Sequence, residues 1–127
     1  MRLWTISTIW LTLMDGSAKW DVRFTSAAAG HMREIARHLV EKEGRDFARD
    51  FTTQLRKTGK ERLETFPLKG RTVPELETVT GEFREIRYRS YRLIYRANPQ
   101  TLSVRILLIA HEKRSIDDIL LKTILGT

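Results

Sequence analysis

At Pro67 the chain changes its period. Before it, apolar residues recur at three- and four-residue spacing from Ala28 to Phe66. After it, they alternate through "EFREIRYRSYRLIYR" (82–96) and then run nearly unbroken in "LSVRILLIA" (102–110). A helix needs an apolar stripe of period 3.6 and a half-buried strand a period of 2, so no single regular element crosses this point. The boundary, "PLKGRTVPEL" (67–76), holds two prolines and a glycine. That is loop chemistry, and it leads into a strand expected near Val73–Leu76.

Upstream, "KWDVRFT" (19–25) sets Trp20, Val22 and Phe24 against Lys19, Asp21 and Arg23, the pattern of a strand with one wet face. Ser26 is placed to cap a helix whose face is Ala28, Met32, Ile35, Ala36 and Leu39, with Gly44 as its stop. A second helical stripe runs through Phe47, Phe51, Leu55, Thr58 and Arg62 to about Phe66, with Gly59 as a weak point. Two striped helices joined by two or three residues make an antiparallel hairpin. Downstream, Gly81 marks a turn, Phe83–Tyr88 and Tyr91–Ala97 read as strands joined by Arg89-Ser90, and "NPQT" turns the chain into a central apolar strand. Ser115 would cap a short helix carrying Ile116, Ile119, Leu120 and Ile124 on one face. The expected fold class is α+β: an N-terminal strand and a helical hairpin packed on a small antiparallel sheet, with a short C-terminal helix.

A length of 127 residues suits one domain, which we place at 19–127. Residues 1–18 stand apart: "LWTISTIWLTLM" (3–14) carries no charge and is too short to span a membrane. It is best read as a leader of doubtful status, with Met14 as a candidate true start. A secretory signal and an added strand or helix are the alternatives. With no cysteine, disulfides, thiolate nucleophiles and cysteine-held metals are excluded, which fits a cytoplasmic protein. The only histidines, His31, His38 and His111, lack ligand spacing, so no metal and no cofactor is expected. The net charge of +7 is uneven: residues 19–66 carry +3 and residues 67–111 carry +4. Such a field attracts nucleic acid or an acidic partner.

The arginine-rich stretch concentrates that field. On the first of its strands Arg84, Ile86 and Tyr88 oppose Phe83, Glu85 and Arg87; on the second Arg92, Ile94 and Arg96 oppose Tyr91, Leu93 and Tyr95. Apolar weight falls on both faces, so neither is plainly the wet one. For any one arginine the plain role is pairing with Glu75, Glu77, Glu82 or Glu85, although eight bases face only four acids across residues 67–111.

"FPLKGRTVPEL" (66–76), "REI" (84–86), "YRLIYR" (91–96) and "AHEKR" (110–114), preceded by "KWDVRFTSAAAGHMREIARHL" (19–39), together resemble the RelE/ParE toxin superfamily, also called plasmid stabilisation proteins. The resemblance implies the toxin of a type II toxin–antitoxin module that inhibits growth, and it implies a partner: a small acidic antitoxin wrapping the toxin. RelE-like members cleave mRNA in the ribosomal A site, and ParE-like members poison DNA gyrase. Carried over position by position, Glu75, Arg92, His111 and Arg114 would be catalytic in a RelE-like endoribonuclease. Glu75 or His111 would then serve as base, while Arg92 and Arg114 would hold the phosphorane charge without a metal. Arg71, Arg84, Arg92 and Arg96 are the candidates for nucleic-acid or partner binding. One departure favours the ParE-like branch: the tail "SIDDILLKTILGT" (115–127) has no aromatic residue and no histidine to stack or transfer a proton. A degenerate, non-toxic member is the third possibility.

Overall fold

A computed structural model describes residues 19–76, 82–117 and 119. Their elements run β1 (Asp21–Phe24), α1 (Ser26–Glu43), α2 (Arg45–Thr65), β2 (Arg71–Thr72), β3 (Arg84–Tyr88), β4 (Tyr91–Asn98) and β5 (Ser103–His111), with single 3-10 turns at Pro67–Lys69 and Pro74–Leu76. The α+β class and the helical hairpin stand as expected. Two local readings do not. The strand expected near Val73–Leu76 is shorter and earlier, at Arg71–Thr72, because Pro74 lacks the N–H a ladder needs and opens a 3-10 turn instead. The leader (1–18), the Gly81 turn and most of the C-terminal helix expected after Ser115 lie outside the described residues.

Thr25, not Ser26, caps α1. Its hydroxyl accepts from the Ala28 N–H at 3.2 Å and donates to the Ile106 carbonyl at 3.0 Å, so one side chain satisfies a helix start and ties it to β5. Gly44 alone links α1 to α2, at φ 94° and ψ 167°, a conformation reserved for glycine. Its N–H bonds the Val40 carbonyl and its carbonyl accepts from Ala48. That single hinge residue is tighter than the two or three expected. The buried stripe of α2 is Ala48, Leu55, Gly59 and Leu63, rotated from the expected one so that Phe47 is exposed. Gly59 is therefore a contact, not a weak point: a Cβ there would meet Leu93 Cδ2 at 2.8 Å.

The sheet order is β1-β5-β4-β3-β2. β1 runs parallel to β5, with Asp21 opposite Ser103, and the other pairs are antiparallel. The sheet is therefore mixed rather than antiparallel throughout. Local periodicity reports that a segment is a strand, but not the direction of a neighbour some 80 residues away.

Both sheet faces are covered, which explains why neither looked wet. On one, α1 and α2 bury a core that includes Trp20, Met32, Leu55, Leu93, Tyr95 and Ile106. On the other, Val73, Leu76, Phe83, Ile94, Leu108 and Ile116 form a second, smaller core. A register shift between Ile94 and Tyr95 lets β5 serve both: Ile94 faces Leu108 while Tyr95 faces Ile106. The extra residue, Leu107, moves the even-numbered side chains from the helical face to the opposite one. No described helix is long and apolar enough to cross a membrane.

Candidate functional site

Arg92 sits on β4 facing away from the helices, beside the 3-10 turn that carries Glu75. Its Nη1 and Nη2 donate to the two Glu75 carboxylate oxygens at 2.8 and 3.1 Å, and its Nε donates to Glu85 Oε2 at 2.5 Å. This is fork-to-fork pairing, the geometry a guanidinium supplies and an ammonium cannot. Arg92 is 7% exposed and Glu85 2%. The Arg92 hydrogen bond holds the Glu75 carboxyl below the usual carboxylate range, against the opposing effect of burial. Glu75, with the hydrogen bond and charge of Glu85 adding to it and burial opposing it, in turn raises Arg92 above its ordinary value. The result is a closed charge cluster that fastens the 67–76 loop to the sheet.

His111 and Arg114 lie elsewhere. In the β4–β5 ladder Tyr91 faces His111 and Arg92 faces Ala110. Adjacent positions point to opposite faces, so His111 is on the helical side of the sheet and Arg92 on the other. The His111 ring meets Tyr91 edge-on at 5.3 Å, and its Nδ1 accepts from the Lys113 N–H at 3.1 Å. Arg114 is exposed, its N–H closing a turn on the His111 carbonyl. Both line a groove of about 1060 Å³ between α1 and the end of β5, together with His31, Glu34, His38 and Tyr91. The four residues of the nuclease constellation are thus two pairs on opposite faces.

The remaining arginines have separate tasks. Arg84 donates to the Gly70 carbonyl at 3.0 Å and pairs with Glu82. Arg71 is exposed on β2, opposite Glu85 in the ladder. Arg96 is exposed, with its guanidinium 5.4 Å from the Phe83 ring centre. Arg87 pairs with Glu112 at 2.9 Å. Among the described residues no group of histidines and carboxylates could hold a metal ion.

Two residues do more than their sequence positions show. Glu85, one of the four acids expected to pair with an arginine, is the buried partner of Arg92. Its alternation with Phe83 and Arg87 was visible, but the diagonal reach to Arg92 depends on register. His31 is the second. Its Nδ1 accepts from the Ile109 N–H at 3.3 Å, just beyond the stretch of β5 that β1 covers. Burial, with the nearby Arg114 charge adding to it and Glu34 opposing it, pushes His31 below its ordinary value. It is therefore neutral at pH 7 and able to accept that bond.

Residues 22–116 match the family described as the ParE toxin of the type II toxin–antitoxin system, parDE. Among solved structures, a chromosomal ParDE toxin–antitoxin system from P. aeruginosa has a TM-score of 0.59 at 20% identity, covering 73% of this chain and 96% of that one. The toxin–antitoxin complex RelBE2 from Mycobacterium tuberculosis has a TM-score of 0.58 at 21% identity, covering 76% and 95%. A mutant of the E. coli toxin RelE in the free state has a TM-score of 0.51 at 17% identity, covering 85% and 97%. At these identities the likeness is one of fold. No curated protein matches the sequence.

Proposed function

Since the chain belongs to the family of ParE toxins of type II toxin–antitoxin systems, we propose that it arrests growth as a ParE-like poison of DNA gyrase, held inactive by a small acidic antitoxin, and not as a nuclease. The observation that carries this reading is the state of Arg92. A phosphorane in the making needs an accessible cation and a base free to take a proton. Here the guanidinium is buried and shared by two carboxylates, and the carboxylate of Glu75 is held in its ionised form by that same guanidinium. A base whose proton affinity has been lowered is the wrong tool for the 2′-hydroxyl. His111, the other candidate base, lies across the sheet from Arg92. On this reading toxicity is exerted through surface contacts, and the Arg92 cluster is a structural clasp.

Expression from a tightly controlled promoter tests it. SOS induction with filamentation is the expected early response, and Glu75→Gln is expected to remain toxic. Rapid translation arrest with mRNA cut at codon boundaries, abolished by Glu75→Gln in a folded protein, would establish the RelE-like alternative. Growth that continues unaffected at high expression would point to the degenerate, non-toxic member.

A further inference from the structure

On the face away from the helices, at the end left open by the second core, three arginines stand in line. Arg23 on β1 faces Arg105 on β5, and Arg105 faces Arg96 on β4. Paired positions in a ladder point to the same side, so the three side chains form a row across adjacent strands, about 10 Å from first to last at about 4.8 Å per strand. All three are exposed. Like charges directly opposite one another destabilise a sheet. Only part of this is relieved: Arg23 pairs with Asp21 at 3.0 Å, while Arg96 and Arg105 have no ion pair among the described residues. Arg96 and Arg105 also line a shallow cradle of about 500 Å³ with Asn98, Ser103, Leu107 and Glu82. The Glu82 charge is engaged by Arg84. A row of cations that is only partly compensated among the described residues, and that weakens its own sheet, is explained if an anion neutralises it.

We propose that Arg23, Arg105 and Arg96 bind the phosphate backbone of a nucleic acid without regard to sequence. Three planar guanidiniums, weakly hydrated and able to fork onto two oxygens, suit phosphodiesters at successive positions. Asn98 and Ser103 add neutral donors of the kind that position a backbone. An acidic peptide is the less fitting occupant, because stable peptide docking needs buried apolar anchors, and the apolar part of this cradle, Ala97, Pro99 and Leu107, is too shallow to bury one. The row shares no residue with the Arg92 clasp, and its assignment does not depend on the gyrase reading.

Fluorescence anisotropy of the full-length protein with a short labelled DNA duplex, a short RNA and a polyglutamate peptide tests the assignment. R96Q/R105Q is expected to weaken nucleic-acid binding about tenfold and to reduce the salt slope by about 2, one unit per lost phosphate contact. R37Q/R56Q, which removes the same charge from exposed helix positions, is expected to change affinity less than twofold. R105Q is also expected to melt no lower than wild type, since it relieves repulsion. Absence of nucleic-acid binding by the wild type would overturn the proposal, as would an equal loss in R37Q/R56Q. So would a row-dependent loss confined to polyglutamate, or an R105Q variant that melts lower.

Discussion

Arg92 concentrates the chemistry of this chain in one side chain, and its effect is measurable as stability. Removing one member of a buried ion pair leaves the partner charge uncompensated, which costs about 3–5 kcal/mol. Arg92→Ala is therefore expected to lower the urea midpoint sharply, whereas Glu75→Gln, whose site is nearer solvent, lowers it less. The same contrast explains why loss of toxicity in Arg92→Ala alone carries no message about catalysis. Tyr95 gives a second residue-level test. It is fully buried, its hydroxyl donates to the Pro67 carbonyl, and burial pushes its pKa up from 10 to about 12. A folded-state value above the unfolded one means stability is whole below pH 10 and is lost as pH rises toward 12, at about 1.4 kcal/mol per unit. Below pH 10, Tyr95→Phe is expected to be about 1–2 kcal/mol less stable than wild type. Equilibrium unfolding between pH 9 and pH 12 should show that gap closing; parallel curves would remove burial of the phenol as the cause.

At the scale of elements, one residue decides how the two helices meet. Gly44 is both the stop of α1 and the entry to α2, at positive φ with an extended ψ. Gly44→Ala is expected to cost about 1–3 kcal/mol through backbone strain, although open space surrounds a Cβ there. Gly30→Ala, inside α1 with only ordinary contact at Arg33 Nη2, is expected to stabilise by up to about 1 kcal/mol. Thermal unfolding of the two variants should move in opposite directions, and a shared direction would show that strain is not what distinguishes them. Elements with a strong period were legible from residues alone: β1 from Trp20, Val22 and Phe24, α1 from Ala28 and Met32, β4 from Tyr91, Leu93 and Tyr95. The buried face of α2 departs from the expected one because Phe47 outweighs Ala48 and Gly59 on any hydropathy scale, whereas the close approach of Leu93 leaves no room for a side chain at Gly59.

For the whole molecule, charge and topology set what can dock. The acidic antitoxin proposed above, approaching the +4 region of residues 67–111, would gain encounter rate from that field. The affinity of the complex is expected to fall as salt rises, and a value flat from low to high salt would argue against a charge-led interface. What the order of residues determined by itself was the class: the change of period at Pro67 separates helices from sheet, and the motif order from Lys19 to Arg114 identifies the toxin superfamily. What only the tertiary structure decided was adjacency. The parallel seat of β1 beside β5, the bulge that feeds two cores, the separation of His111 from Arg92 and the alignment of Arg23, Arg105 and Arg96 all depend on which strands become neighbours and in what register. Periodicity is a local property, written within a few residues of each position. Register between strands is set by the shared burial of distant segments, so the fate of each arginine was settled by its neighbours across the sheet and not along the chain.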